Sequence, residues 1–192
     1  EIPSILGSVV KSPIQTRNRD LILFYELAQA LPIVYDLTTQ CLCALYEEGR
    51  SSVNKEDILA WLAQAEEQGH DEIAGWSPQT RGKVASNYLT VVRDFGLLEG
   101  TQRKTFARIY VHLSVFVYVL YRLKDAGTNA RAIVESPDWH LFLMDARDIS
   151  LLLEEATRAG YITFQQAGDI YSLTFPYQNT AAVVDELIRQ VR

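Results

Sequence analysis

The residues best able to do chemistry are three histidines and two cysteines, and their spacing predicts no site. His70, His112 and His140 lie far apart, without the short spacings by which a helix pairs metal ligands. Cys41 and Cys43 are two residues apart, so they face different sides of a helix, and no second cysteine pair completes a zinc motif. We therefore expect buried structural thiols, no metal and no cofactor.

The run Asp138-Trp139-His140 could hold an acid–base pair, but an aspartate that caps a short helix beside a core tryptophan is the favoured interpretation. The sequence has no glycine-rich phosphate loop and no nucleophile elbow. We expect a protein that is not an enzyme and has no small-molecule substrate. A hidden enzyme is the third alternative and would need a pocket with convergent carboxylates or histidines.

Length and composition indicate an ordinary globular chain. The 192 residues are 48% hydrophobic, which is enough for one sizeable core or two small domains. The longest apolar run, Ile109 to Tyr121, is shorter than the roughly 20 residues of a membrane span, so we expect no membrane partner. Two cysteines without a disulfide framework are typical of a reducing compartment, and we expect a cytoplasmic protein.

The charge is unevenly distributed. With 18 Lys+Arg and 24 Asp+Glu the net charge is −6, which by itself disfavours nucleic acid. Residues 78–108, however, carry six cations and two carboxylates, a local charge of +4. Residues 46–72 and 135–155 carry local charges of −6 and −5. The basic segment makes one oriented contact with a polyanion possible.

This basic segment predicts a helix followed by a hairpin. Ser77 is a suitable N-cap, Pro78 suits the first helical position, and Gly96 ends the helix. Two short strands over residues 97–111 follow, joined by a tip that carries Arg103 and Lys104.

The side of this helix opposite Tyr88 is polar. Asn and Gln can pair with adenine, Ser and Thr with either strand, and Lys with guanine or phosphate. Cations at the hairpin tip can contact phosphate or the minor groove. Polar residues also cover the outer face of any soluble helix, so that interpretation stays open. The candidate DNA-binding residues are Gln79, Lys83, Ser86, Asn87, Thr90, Arg93, Arg103 and Lys104.

Residues 153–175 repeat the pattern of residues 89–111. In each, a helix ends at a glycine (Gly96, Gly160) and a hairpin follows, although few identities match. We predict a mainly α fold of tandem winged helix-turn-helix-like units with two short β-hairpin wings. The predicted domains are an N-terminal arm (1–17), a first unit (18–111) and a second unit with a C-terminal helix (112–192).

Two motifs, residues 93–100 (RDFGLLEG) and 136–143 (SPDWHLFL), resemble the BrxA family of bacteriophage-exclusion (BREX) systems. Between them lies an apolar segment, Val111 to Leu123, that we predict to be a helix. The resemblance covers about Leu21 to Phe175. It implies a small, helical, non-enzymatic protein that binds double-stranded DNA beside larger phage-defence proteins. The chain departs from the family in having few basic residues before Leu21.

The leading hypothesis is a double-stranded DNA-binding accessory protein of a BREX system, whose other faces contact phage-defence proteins. The alternative is a protein–protein interaction adaptor that uses winged-helix units as docking surfaces, since fold does not fix function. That alternative is favoured if the polar helix face is buried by the protein's own chain.

Overall fold

The computed structural model describes residues 2–191, apart from the side chains of residues 71 and 72. Helix accounts for 64% and strand for 9%, which confirms the predicted mainly helical class, and the strands form two small antiparallel sheets. None of the described helices alone is long and apolar enough to cross a membrane. The consecutive helical segments Thr16–Ala30 and Pro32–Glu47 satisfy that test only jointly, as a bent pair.

The α-helices are, in chain order, α1 (Ile2–Lys11), α2 (Thr16–Ala30), α3 (Pro32–Asp36), α4 (Cys43–Glu47), α5 (Lys55–Glu67), α6 (Asp71–Ala74), α7 (Pro78–Asp94), α8 (Leu113–Asp125), α9 (Ala130–Val134), α10 (Ala146–Arg158) and α11 (Thr180–Gln190). A π-helical turn, Leu37–Leu42, joins α3 to α4, and Pro137–Phe142 is a 3-10 helix. The strands are β1 (Ser52–Val53), β2 (Leu98–Glu99), β3 (Lys104–Phe106), β4 (Thr163–Ala167) and β5 (Ile170–Thr174).

The chain divides into two compact units. The central unit consists of Leu27–Ile109 and His140–Leu143. The terminal unit consists of the chain up to Glu26, Tyr110–Trp139 and the chain from Met144. The break after Ile109 lies close to the predicted boundary at 111/112, whereas residues 2–26 group with the second half of the chain.

The central unit runs from the helical segments α3 and α4 through β1, then through α5, α6 and α7 to the β2–β3 hairpin. Its sheet has the strand order β1-β3-β2 with both pairings antiparallel. Asn54 starts α5 with a capping box: its side chain accepts the Asp57 N–H, and the Asp57 carboxylate accepts the Asn54 N–H. The predicted N-cap at Ser77 is confirmed, because its side chain accepts the Thr80 N–H at 3.1 Å.

The terminal unit is built around α8, the apolar run in the sequence. Residues 114–121 of α8 are all buried, and α8 packs against α10 and α11. Trp139 is fully buried, stacks on Phe116 at 4.7 Å between ring centroids, and donates from Nε1 to the Ile133 carbonyl at 2.8 Å. This confirms the predicted core role of Trp139. The hydroxyl of Tyr25 donates to the buried Asp138 carboxylate at 2.8 Å.

The helix–hairpin pattern recurs as predicted, α7-β2-β3 in the central unit and α10-β4-β5 in the terminal unit. Gly96 and Gly160 end the two helices with φ of 75° and 76°, a left-handed conformation that glycine adopts without steric cost. The two hairpins differ in one respect: β3 also pairs with β1, whereas the sheet of β4 and β5 has two strands.

Three local predictions need correction. The segment 1–17, expected to be a loosely structured arm, contains α1, whose Ile5 and Val9 are buried and which packs against α11. The second of the two strands predicted over residues 97–111 is shorter than expected, because β3 ends at Phe106. The two-residue strand β1 was not predicted.

Candidate nucleic-acid interface

Helix α7 presents the predicted polar face to solvent. Its opposite side is held by buried Ala85, Tyr88, Leu89 and Val92, so the helix cannot turn this face inward. Of the eight candidate DNA-binding residues, Arg93 and Lys104 are half-buried. The exposed ones are Gln79, Lys83, Ser86, Asn87, Thr90 and Arg103. Among the described residues, therefore, most of the candidate face is exposed to solvent.

The hairpin tip is held beside α7 and the start of α5 by strand pairing. Val53 of β1 lies opposite Lys104 of β3, and the next residues after β1 begin α5. Gly100 opens the tip with φ of 89°, and a Cβ at this position would lie 2.2 Å from the Arg103 carbonyl oxygen. Only glycine fits this turn, so any other residue at position 100 would change the shape of the hairpin tip.

A cleft of about 550 Å³ lies between α7, the start of α5 and the hairpin tip. It brings together four of the predicted residues, two from the helix and two from the tip: Ser86, Thr90, Arg103 and Lys104. The other four, Gln79, Lys83, Asn87 and Arg93, do not line it. Sequence reasoning missed Lys55 and Gln102, which also line the cleft.

Two of the cations in the basic segment are neutralised by partners. Arg81 of α7 pairs with Glu66 of α5 at 2.7 Å, and this hydrogen bond lowers the pKa of Glu66 and raises that of Arg81. Arg93 is one of the predicted contacts, yet its guanidinium lies 2.6 Å from the neighbouring Asp94 carboxylate. Arg93 is thus less available to a phosphate than the sequence predicted.

The remaining cations of this surface have no ion pair within 4.0 Å among the described side chains: Lys55, Lys83, Arg103, Lys104 and Arg108. The Lys55 ammonium reaches across to α7, where it would lie 3.4 Å from a Cβ at Gly82. A positive side chain therefore already lies beside the Gly82 position of α7. The sign of the charge in the cleft is positive, with Glu56 as its acidic lining residue.

The two hydroxyls that α7 contributes to the cleft are engaged within the helix itself. Ser86 donates to the Gly82 carbonyl at 2.9 Å, and Thr90 donates to the Ser86 carbonyl at 3.0 Å. Their lone pairs remain open to a donor, while their protons are used. Without rotation, these side chains can accept but not donate a hydrogen bond.

The second hairpin offers no comparable charge. Neither β4 nor β5 contains Lys or Arg, and Ile170, the first residue of β5, is 73% exposed. If one of the two hairpins contacts a polyanion, the charge favours the one between β2 and β3.

Both cysteines are free and buried, as predicted. Burial raises the pKa of the Cys41 thiol to about 12, with neighbouring carboxylates adding to the shift. Burial and the adjacent Glu47 likewise raise the pKa of the Cys43 thiol to about 12. Thiols in this state are poor nucleophiles, so neither is suited to covalent catalysis.

The fold and the site define a mainly helical protein with an exposed polar helix face beside a basic hairpin tip. The BrxA family model matches residues 8–121, which is more than half of the chain. The chain therefore belongs to the BrxA family, which is associated with BREX phage-defence systems, as the resemblance predicted. The matched region contains the motif at residues 93–100, whereas the motif at residues 136–143 lies outside it. No curated protein and no solved structure matches it.

Proposed function

We propose that the protein is a non-enzymatic, double-stranded DNA-binding accessory protein of a BREX system. The observation that carries this proposal is the cleft in which the polar face of α7 meets the basic hairpin tip. A helix face and an adjacent basic loop, both exposed, can reach a groove and its flanking phosphates together.

The topology of the central unit supports a winged helix-turn-helix interpretation. In this interpretation α5 and α7 are the two helices of the helix-turn-helix, α6 lies in the turn, and the β2–β3 hairpin is the wing. The second helix of such a motif lies in the major groove. Here that helix is α7, whose exposed side is the polar face.

The position of each side chain on α7 or around the cleft predicts which part of the DNA it contacts. Lys83 and Asn87 are exposed on α7 and reach base edges, where Asn pairs with adenine and Lys with guanine. Arg103, Lys104 and Lys55 surround the cleft and contact phosphate. The paired Arg93 and the self-bonded Ser86 and Thr90 contribute less than their residue types suggest.

Salt dependence tests this proposal directly. Each phosphate neutralised by a cation releases counterions, so three to four contacts predict that affinity falls by about 40- to 150-fold between about 50 mM and 200 mM salt. Fluorescence anisotropy with a labelled duplex measures this slope. No binding at the lower salt concentration would overturn the proposal.

The terminal unit and the acidic faces are proposed to contact other phage-defence proteins in the cytoplasm. The second hairpin favours this role because β4 and β5 contain no Lys or Arg to contact phosphate, while Ile170 is exposed. Co-purification with neighbouring BREX proteins, and its loss in Ile170→Asp, tests this part. Retention of all partners by that variant would contradict it.

If the salt titration shows no DNA binding while co-purification succeeds, the protein is instead a protein–protein interaction adaptor. The exposed face of α7 argues for DNA, because an adaptor would be favoured by burial of that face.

A further inference from the structure

A cysteine, a glutamate and a histidine of the central unit lie together on the side of α4. The Cys43 sulfur, a carboxylate oxygen of Glu47 and a ring nitrogen of His140 all lie within 4.8 Å of one another. Cys43 and Glu47 are four residues apart and therefore share one helix face, and His140 comes from the 3-10 helix. The sequence separation of His140 explains why spacing alone predicted no metal site.

The donor set is one that zinc binds. Thiolate, imidazole and carboxylate are the three ligand types of zinc sites, with distances of about 2.3 Å to sulfur and 2.0–2.1 Å to nitrogen or oxygen. A tetrahedral ion at those distances separates its sulfur and oxygen ligands by about 3.5 Å. The Cys43 thiol donates a hydrogen bond to Glu47 Oε1 at 3.6 Å. The two atoms therefore already lie at ligand spacing, and an ion that binds between them would displace the thiol proton.

Burial and charge at the cluster also suit a cation. Cys43 is buried, His140 is half-buried and Glu47 is exposed, so the cluster reaches solvent through the Glu47 carboxylate. The next residue, Glu48, is also an exposed carboxylate, so the entrance is negative. Glu47 and Glu48 have no ion-pair partner within 4.0 Å among the described side chains.

We propose that Cys43, Glu47 and His140 form a site for a thiophilic divalent transition metal, zinc being the natural occupant, with solvent as the fourth ligand. The ion would bind the 140–143 segment to α4 and so stabilise the central unit. This proposal does not depend on DNA binding.

Cobalt is the probe, since Co²⁺ substitutes for zinc and reports its ligands in the absorption spectrum. The chain is freed of metal with a chelator and titrated with Co²⁺. We expect saturation at one ion per chain, with a sulfur-to-cobalt charge-transfer band that Zn²⁺ abolishes by competition. Zn²⁺ should also raise the unfolding temperature of the metal-free protein.

The variants separate ligation from general electrostatics. Cys43→Ala should lose the charge-transfer band, whereas Cys41→Ala, which removes the other buried thiol of the same segment, should retain it. Glu47 is exposed, so Glu47→Gln should fold normally and weaken Co²⁺ binding by more than about tenfold, the lower range for loss of even an outer-shell partner. Glu48→Gln removes the same charge one residue away and should bind nearly as well as the wild type.

Three results would overturn the proposal. One is the absence of a charge-transfer band in the wild-type chain. Another is a band that survives in Cys43→Ala. The third is an equal loss of Co²⁺ affinity in Glu47→Gln and Glu48→Gln. That result would show that the ion is attracted by the general negative charge of the surface and is not ligated by Glu47.

Discussion

Tyr88 of α7 and Thr38 of the π-helical turn are joined by a buried hydrogen bond, with 3.1 Å between their oxygens. The Thr38 hydroxyl proton is used in a 2.7 Å bond to the Val34 carbonyl, so the Tyr88 hydroxyl is the donor. Burial raises the pKa of Tyr88 above its ordinary value, which keeps the phenol protonated and able to donate. This bond fixes α7 from the side opposite its polar face.

Tyr88→Phe should therefore lower stability while leaving the interface intact. Loss of one buried, neutral hydrogen bond costs about 0.5–1.5 kcal/mol in the free energy of unfolding. Urea denaturation measures this, with Tyr110→Phe as the matched control because Tyr110 is 71% exposed. DNA affinity of the folded variant should equal that of the wild type. An equal effect of the two substitutions would contradict the assignment.

Tyr25→Phe should cost more than Tyr88→Phe. The Tyr25 hydroxyl donates to a carboxylate, that of Asp138, and hydrogen bonds to charged groups contribute about 1.5–3 kcal/mol. The same urea experiment ranks the two variants. A smaller loss of stability in Tyr25→Phe than in Tyr88→Phe would show that the hydrogen bond to Asp138 contributes less than is expected for a charged acceptor.

Removal of the α7 cap tests how the helix start is held. Ser77→Ala leaves the Thr80 N–H without its side-chain acceptor and should destabilise the protein by about 1 kcal/mol. Ser77→Asp should restore most of this stability, since Asp caps as well as Ser. If Ala and Asp variants unfold at the same urea concentration, capping is not what Ser77 contributes.

Two glycines of the interface should respond in opposite directions to alanine. At Gly82 a Cβ would meet the end of the flexible Lys55 side chain at 3.4 Å, so Gly82→Ala should stabilise α7 by about 0.5–1 kcal/mol. If a phosphate backbone approaches this helix closely, the same variant should also bind DNA more weakly.

At Gly100 the φ of 89° and the 2.2 Å approach to the Arg103 carbonyl leave no room for a Cβ. Gly100→Ala should cost at least about 1–2 kcal/mol and should weaken DNA binding, because the tip must change shape. Thermal unfolding and anisotropy together measure both effects. Full affinity in Gly100→Ala would show that the tip geometry is irrelevant to DNA.

Helices with local signals at both ends could be predicted from the sequence. Ser77, Pro78 and Gly96 determine α7 through capping and turn chemistry, and those interactions need no distant partner. The exposure of the α7 polar face follows from the same periodicity. The buried Trp139 and the free cysteines could also be predicted from composition and spacing.

The features that sequence reasoning missed depend on distant partners. Ser52–Val53 is a strand only because β3 lies beside it, and this pairing brings Lys55 to the cleft. Helix α1 contains Pro3 and Gly7, which indicate a loop, yet burial of Ile5 and Val9 and packing against α11 make it helical. The pairing of Arg93 with Asp94 requires side-chain conformations that no pattern of residue types specifies.

The most direct test of the central claim is a matched pair of double charge reversals, measured by anisotropy with a labelled DNA duplex. Arg103→Glu with Lys104→Glu changes the hairpin tip, and Arg147→Glu with Arg158→Glu makes the same charge change on exposed residues of α10. The account predicts that the tip variant loses at least about tenfold in affinity and has a shallower salt slope, while the α10 variant loses far less. Equal affinities of the two variants would contradict a DNA interface at α7 and the hairpin tip.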